Sequence, residues 1–189
     1  MADIKRIMFN KFTGIIAVVV IATLVFTVFG PAACSTPVIS DFDMKQDAQG
    51  VFQNFKDDWY WLIPEGVSFE PRHMIETRSP NDHEPAYFGK LKIKVIRDHG
   101  TAAAFVTYYK ETPHIGRIQF VSVNKNSRGK KYGQKLTTYA VNDLFKIGCT
   151  EVRLTTRVNN LWAQRIYDRL GFIQFKRYGG FVDYMIKKS

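Results

Sequence analysis

The stretch VSVNKNSRGKKYGQKL, residues 121–136, runs from an alternating apolar strand into helix-like sequence through a turn that contains Gly129 and Gly133. The first N–H groups of a helix have no partner within the helix and lie at the positive end of its dipole, so anions bind there. Glycine lets the backbone approach a ligand closely, and cations pair with phosphate oxygens. Three cations share the turn: Arg128, Lys130 and Lys131. The stretch predicts a pyrophosphate site, and a solvated basic turn is the alternative that these residues leave open.

Composition places the positive charge in the folded part of the chain. The 189 residues carry a formal charge of +10, and 46% of them are hydrophobic, which argues against disorder. Within residues 1–43 the charges cancel: Lys5, Arg6 and Lys11 stand against Asp3, Asp41 and Asp43. The excess therefore lies in residues 44–189 and indicates an anionic partner such as a polyphosphate, RNA or a lipid surface. Two cysteines do not favour a disulfide framework.

The N-terminal segment has the pattern of a targeting sequence. Residues 12–40 contain no charged residue, and the apolar run 14–30 follows the three N-terminal cations. We interpret residues 1–40 as a signal peptide or transmembrane anchor forming a hydrophobic helix, with a buried core helix as the alternative. The run ends in GPAAC, which resembles the lipobox of bacterial lipoproteins and makes Cys34 a lipidation candidate. The expected location is membrane-associated, at the bacterial inner membrane or as a lipoprotein with the side left open, or cytoplasmic if translation starts at Met44.

Residues 44–189 predict one domain of the α/β (α+β) class, a mixed and mostly antiparallel central sheet with flanking helices. Apolar residues at spacings of three and four indicate the helices, and alternation indicates the strands. Prolines in residues 63–86 indicate a connection with one short strand at 67–69. The predicted elements are a helix at 44–62, strands at 90–98, 101–110 and 116–124, a helix at 133–148, a strand at 151–156, a helix at 159–170 and a strand at 180–188.

Two motifs in this domain resemble the GNAT (GCN5-related N-acetyltransferase) superfamily. Arg128, Lys131 and Gly133 occupy the places of its acyl-coenzyme A loop, R/Q-x-x-G-x-G/A, with lysine in place of the middle glycine. The segment NNLWAQRIYDRLGF resembles a later motif of that family, with Asn160 and Tyr167 in the expected order. The similarity covers roughly residues 91–188. A Walker loop and a dinucleotide fingerprint are both excluded by spacing.

The resemblance implies an N-acetyltransferase that moves the acetyl group of acetyl-coenzyme A, its co-substrate, to an amine by direct attack. The amine belongs to a small molecule or a protein, and neither a metal nor nucleic acid is expected. Tyr167 would protonate the departing thiolate, with a purely packing role as the alternative. Asn160 would contact the coenzyme, with a helix cap as the alternative. The residues implied in coenzyme binding are Val121, Val123, Arg128, Gly129, Lys130, Lys131, Tyr132, Gly133 and Asn160.

The general base is the part of the mechanism that the sequence does not supply. Some family members carry glutamate early in the strand before the loop, where this chain has Arg117, and no nearby carboxylate replaces it. His73, His83 and Glu84 are candidates by position alone, and Cys149 is interpreted as a buried apolar residue. A second hypothesis is therefore a noncatalytic module on the same fold that binds coenzyme A, another anionic ligand or a membrane surface.

Overall fold

The computed structural model describes residues 37–80 and 88–189, and residues 37–189 form one compact unit. The described residues form seven strands and four α-helices, with a 3₁₀ turn at Lys125–Ser127. The strands are β1 (Ile39–Asp41), β2 (Lys92–Asp98), β3 (Thr101–Lys110), β4 (Ile115–Val123), β5 (Glu151–Arg157), β6 (Ile173–Tyr178) and β7 (Phe181–Lys187). The helices are α1 (Met44–Leu62), α2 (Pro71–Thr77), α3 (Tyr132–Lys146) and α4 (Leu161–Arg169).

The described strands form a single sheet in the order β1-β2-β3-β4-β5-β7-β6. Every neighbouring pair is antiparallel except β4 and β5, which run parallel. The predicted mixed, mostly antiparallel sheet with flanking helices is therefore confirmed. The parallel contact is short: it begins at Ile115 opposite Glu151 and ends at Arg117 opposite Arg153.

Each face of the sheet has its own apolar core. Leu136, Ala140 and Leu144 of α3 pack on one face, where Val106 and Leu154 are buried with them. On the other face, α1 and α2 cover the half of the sheet formed by β2, β3 and β4. The buried residues there include Val51 and Phe55 of α1, Met74 and Ile75 of α2, and Phe105 and Phe120 of the sheet. The junction of β4 and β5 lies in the sheet, between the helices of one face and those of the other.

Helix α1 lies unusually close to β3 because it carries a glycine at the contact. A Cβ atom built on Gly50 would lie 2.3 Å from the carbonyl oxygen of Ala102. The helix begins at Asp43, whose carboxylate accepts a hydrogen bond from the amide of Gln46. Near its end the helix is kinked at Asp58, which has φ −112° and ψ 16°. The kink and the close approach together fix where Asp58 reaches the sheet.

Three features of the fold differ from the sequence-based expectations. Residues 71–77 form helix α2 rather than irregular chain, because Pro71 fits the first helical position and the Glu70 carboxylate caps the amide of Arg72. The short strand expected at residues 67–69 is not formed. Strands β1 and β6 are additional elements, and both occupy sheet edges.

Strand β4 carries a bulge that breaks its expected alternation. Thr107 pairs with Phe120 and Tyr108 pairs with Ile118, so Gln119 is the extra residue. The bulge places Ile118 in the core under α3, whereas Phe120 lies in the core under α1. A regular alternation would put Ile118 and Phe120 on one face, and the bulge puts them on opposite faces.

The predicted hydrophobic N-terminal helix lies, up to residue 36, outside the described residues, and so does Cys34. Residues 37–40, the end of the predicted segment, lead into β1, which pairs with β2. Within residues 37–80 and 88–189, no helix combines the length and apolar character needed to cross a bilayer.

Candidate functional site

The centre of the sheet opens where β4 and β5 part. Beyond Arg117, β4 keeps its pairing with β3 but has no further partner in β5, which continues against β7. The amide of Asn124 donates to the carbonyl of Ala103 at 2.8 Å. Because main-chain groups alternate in direction along an antiparallel ladder, those of Val121 and Val123 point away from β3 and into the opening. The two valines that sequence analysis selected therefore line this gap with main-chain groups.

The N-terminus of α3 lies beside the same opening. Lys131 is the N-cap residue, in a left-handed conformation with φ 60°, and no side chain caps the helix. The first main-chain bond runs from the amide of Lys135 to the carbonyl of Lys131. Among the described residues, the amides of Tyr132, Gly133 and Gln134 have no hydrogen-bond acceptor. The helix thus presents the unsatisfied donors that an anion requires.

The helix start at Gly133 lies close to β4, at a distance that would also admit a Cβ atom. A Cβ atom at Gly133 would meet Val123 Cγ2 at 3.6 Å and Val121 Cγ1 at 3.9 Å, which are ordinary contacts. Gly129, which precedes the helix, has φ 81° and therefore uses the conformational freedom of glycine. The Tyr132 side chain is buried in the core below α3. The loop is positioned by apolar contacts beneath it, and its main chain faces outward.

Two of the three loop cations are already paired within the protein. Arg128 Nη2 donates to Asp58 Oδ1 at 2.7 Å, and its Nε donates to the Val123 carbonyl at 3.2 Å. Lys130 Nζ lies 2.6 Å from Asp98 Oδ2. Hydrogen bonding from Lys130 holds the pKa of Asp98 below its usual value. Lys131 forms no ion pair within the described residues, so the loop has one cation that is not engaged with a carboxylate there.

Asn160 occupies the N-cap of α4. Its side-chain oxygen accepts from the amide of Ala163 at 3.2 Å, which is the capping role that the sequence left open. The Asn160 carbonyl accepts from Gln164, so both of its oxygens serve the helix start. The Asn160 side-chain NH₂ group makes no hydrogen bond to another described residue.

Tyr167 lies half-buried on the inner side of α4. Its ring centroid is 5.9 Å from that of Phe172 and 5.7 Å from that of Tyr184. Tyr184 pairs with Leu154, the first residue of β5 beyond its last partner in β4. Burial, with a smaller effect of Tyr184, raises the pKa of Tyr167 to about 12. The phenol therefore keeps its proton at neutral pH and is placed beside the point where the strands part.

A polar network near the opening was not found from the sequence. Arg117 is paired with Glu111 through two nitrogens, at 3.0 and 2.7 Å, so a carboxylate does lie next to the arginine, contrary to expectation. Arg117 Nη1 also donates to Thr155 Oγ1 at 3.4 Å. Thr155 Oγ1 in turn donates to Asp183 Oδ1 at 2.6 Å. Asp183 lies 28 residues from Thr155 along the chain, and only the register of β5 with β7 brings them together.

The remaining candidates are not placed at this site by the described residues. His73 lies on α2, and residues 83 and 84 are outside the described residues. Cys149 is fully buried, and burial raises the pKa of its thiol, so it does not act as a nucleophile. The described residues contain no group of histidines, cysteines and carboxylates that could hold a metal ion.

Known proteins resemble this chain in sequence and in fold. The N-alpha-acetyltransferase MAK3 of Arabidopsis thaliana is 40% identical over 62 residues, which is 33% of this chain and 33% of that protein. Two solved structures share the fold. They are a ribosomal-protein-alanine N-acetyltransferase from Brucella melitensis (TM-score 0.63, 13% identity, 80% of this chain and 99% of that one) and the PaiA N-acetyltransferase from Thermoplasma acidophilum in complex with coenzyme A (TM-score 0.62, 15% identity, 81% and 99%).

The curated relatives match over only part of their own length, and they bear on the expected location. The chain spans about a third of the length of the MAK3 protein, and 41% of an N-alpha-acetyltransferase 30 from Schizosaccharomyces pombe. The expected membrane-associated location is contradicted: the curated relatives that match are N-alpha-acetyltransferases, and no helix within the described residues has the length and apolar character to span a membrane. The apolar run of residues 14–30 was therefore a misleading indicator of location.

The family itself is decided by a match that covers most of the domain. The model of the Acetyltransferase (GNAT) family matches residues 49–172, which extend from within α1 to just beyond α4 and include the loop before α3 and the opening between β4 and β5. Sequence motifs, sheet topology and this match agree, and the chain belongs to the GNAT acetyltransferase family.

Proposed function

We propose that this chain is an N-acetyltransferase that transfers an acetyl group from acetyl-coenzyme A to an amine by direct attack. The observation that carries the proposal is the opening between β4 and β5 directly beside the unsatisfied amides at the start of α3. An enzyme of this kind needs a diphosphate site and a slot for an extended thioester within one cleft. Membership of the GNAT family makes acetyl transfer the chemistry to expect of such a cleft.

The main chain at the start of α3 would hold the coenzyme's diphosphate. The amides of Tyr132, Gly133 and Gln134 supply donors, and the helix dipole adds a favourable field. Lys131 supplies a charge, whereas Arg128 and Lys130 act through their ion pairs to hold the loop in place. Gly129 gives the turn its conformation. Binding would therefore depend more on backbone geometry than on the number of cations.

The opening would hold the acyl end of the coenzyme. Acetyl-coenzyme A supplies an activated acetyl group as a thioester. Main-chain groups of Val121 and Val123 point into the opening, where an amide can polarise a carbonyl in the manner of an oxyanion hole. Tyr167 holds a proton at neutral pH, because its pKa is raised to about 12, and is the donor assigned to the departing sulfur. Asn160, whose NH₂ group is not used by the helix cap, is assigned a coenzyme contact.

The acceptor is a primary amine, and the relatives suggest which kind to test first. The matching curated proteins are N-alpha-acetyltransferases, so the α-amino group of a polypeptide is the first candidate. Lysine side chains and small diamines are the comparison substrates. An α-amino group has a pKa near about 8, so a substantial fraction is already neutral close to physiological pH.

The test is binding followed by turnover with the full chain. Calorimetry with acetyl-coenzyme A should show saturable binding, and a thiol-release assay over peptides, lysine and diamines should show turnover. Tyr167→Phe should lower kcat on the order of 10²-fold, as expected for loss of a general acid, with coenzyme affinity unchanged. The matched control is Tyr139→Phe, which removes the hydroxyl of another half-buried tyrosine, on α3. Equal rates for the two variants would remove Tyr167 from the mechanism.

A noncatalytic coenzyme-binding module is the second candidate. It is favoured by Arg117, which stands where some family members have a carboxylate, and by Lys131, which replaces the middle glycine of the loop motif. Tight coenzyme binding without thiol release on any amine would select this candidate. Absence of coenzyme binding would remove both.

A further inference from the structure

Acetyl transfer to an amine requires a base, because the acceptor is mostly an ammonium ion at neutral pH. An ammonium has no lone pair, so one proton must leave the nitrogen before or as it attacks the thioester. General-base assistance of such a step is worth on the order of 10²- to 10⁴-fold in rate. A base must lie within hydrogen-bond reach of the acceptor, on the side of the sheet from which the acceptor approaches.

The side chains of Thr155 and Asp183 stand on one face of the sheet at the opening. Leu154 and Tyr184 belong to the core under α3 and α4, so their strand neighbours Thr155 and Asp183 point to the opposite face. Thr155 is the second residue of β5 beyond its last pair with β4, and it lies directly across from Asp183 of β7. Helix α1 packs mainly on β3 and β4, and its C-terminal residues reach β5 at Arg157. The pair is half-buried and remains accessible.

Of the carboxylates on this face, Asp183 is the one without a cationic hydrogen-bond partner in the described structure. Glu111 is held by Arg117, and Glu151 is held by Arg153, so each of these carboxylates already has a cationic partner. Asp183 instead accepts from two neutral hydroxyls. They are Thr155 Oγ1 at 2.6 Å and the Tyr178 hydroxyl at 3.4 Å.

Two cations, Lys176 and Arg117, lie near Asp183, and the hydrogen bonds to its carboxylate within the described residues come from hydroxyls rather than from either cation. Lys176 of β6 lies opposite Asp183 in the ladder, but its ammonium lies over the Tyr178 ring, 5.0 Å from the centroid. Arg117 of β4 reaches Thr155 rather than Asp183, and its charge is balanced by Glu111. The Thr155 hydroxyl thus accepts from a cation on one side and donates to a carboxylate on the other. This arrangement directs the hydroxyl's own proton toward Asp183 Oδ1.

We propose that Asp183, acting through the hydroxyl of Thr155, is the general base that deprotonates the acceptor amine. This inference rests on the proposed acetyltransferase function. An ammonium N–H bond breaks and its proton passes to Thr155 Oγ1, while the hydroxyl's own proton passes to Asp183 Oδ1. The electron pair of the N–H bond stays on nitrogen for attack on the thioester. Asp183 ends as a neutral carboxylic acid and returns its proton to water after the product leaves.

The test compares four variants of the full chain with acetyl-coenzyme A and two acceptors. One acceptor is a peptide α-amine, and the other is an alkoxyamine, which is already neutral at neutral pH. Asp183→Asn and Thr155→Val should lower kcat for the α-amine on the order of 10²-fold with coenzyme affinity unchanged. With the alkoxyamine, the same variants should approach the wild-type rate. Thr155→Ser keeps the hydroxyl and should retain most activity, and Glu151→Gln, on the same strand, should behave as wild type.

Each outcome decides the inference. A loss in Asp183→Asn that is equal for both acceptors indicates a structural role and overturns it, as does a rate equal to that of Glu151→Gln. Coenzyme binding and a thermal melt show whether Asp183→Asn folds. If it does not fold, the comparison of Thr155→Val with Thr155→Ser decides, and equal rates for these two variants overturn the relay. A wild-type chain that turns over no amine defeats the proposed function and this inference together. Wild-type turnover with normal variants defeats the inference alone.

Discussion

Replacing Gly50 with alanine should destabilise the protein, although helix propensity alone predicts the opposite. Gly50 lies inside α1, where alanine is favoured over glycine by about 1 kcal/mol. However, the new Cβ would lie 2.3 Å from the Ala102 carbonyl oxygen and 3.1 Å from its carbonyl carbon. Both atoms belong to the backbone of a central strand, so neither can rotate away. Helix α1 must therefore move from β3 by roughly 0.7 Å or more to restore a tolerable contact.

The magnitude follows from the two opposing effects. Overpacking against a rigid neighbour costs about 1–3 kcal/mol and occasionally more. Moving α1 also loosens the contacts of Val51 and Phe55, both of which are buried against the sheet. After the propensity gain is subtracted, we expect a net loss of about 2 kcal/mol. For a chain of this size, this loss lowers the melting temperature by about 4–8 °C.

The assay is thermal unfolding followed by circular dichroism, with urea unfolding as the second measurement. Gly133→Ala is the matched control, because its Cβ meets only ordinary side-chain contacts at 3.6 and 3.9 Å. The control should leave stability close to that of wild type. A Gly50→Ala protein that melts at or above the wild-type temperature would refute the close approach of α1 to β3.

Three further predictions, with four variants, test the site and its surroundings. Lys131 holds φ 60°, so Lys131→Gly should be more stable than Lys131→Ala by up to about 1 kcal/mol in thermal melts, although both lose the charge. Asp58→Asn weakens the bonds from Arg128 and Ser122 to a buried carboxylate, and should lower stability in urea by about 1–3 kcal/mol. The folded pKa of Tyr167 is raised from 10.0 to about 12, so stability is retained below pH 10 and falls as pH rises between those values. Tyr167→Phe should lose less stability than wild type in that window, as measured by urea midpoints.

The sequence predicts those elements whose side-chain pattern is local. Helix α1 is predicted with its observed bounds, because its apolar spacing outweighs the cost of Gly50. The hairpin of β2 and β3 follows from alternation around the turn at residues 99 and 100, where both residues have positive φ. The start of α3 is predicted within a residue, because a glycine-containing basic turn ends an alternating strand. Coenzyme chemistry comes from the resemblance carried by that same turn.

The missing parts depend on distant residues. The bulge at Gln119 changes which of the two cores the side chains of β4 enter, and nothing in the strand's own alternation indicates it. Asp58 and Arg128 are 70 residues apart in the sequence. The sequence of the loop therefore does not indicate that the Arg128 cation is already paired with a carboxylate. Asp183 and Thr155 become neighbours only through strand register. The apolar N-terminal run has a strong local pattern, yet local pattern alone gave the wrong location.

The ion pair between Arg128 and Asp58 has a consequence for how the site is organised. Asp58 Oδ1 accepts from Arg128, and its Oδ2 accepts from Ser122 of β4 at 2.8 Å, so one carboxylate joins the loop before α3, strand β4 and the kink of α1. The residues that follow the kink reach the other side of the opening, where Arg157 of β5 donates to the carbonyls of Tyr60 and Ile63. The C-terminal turn of α1 is therefore joined both to the loop before α3 and to the end of β5. Because charged side chains make both connections, a displacement of this turn must change the loop and the end of β5 together.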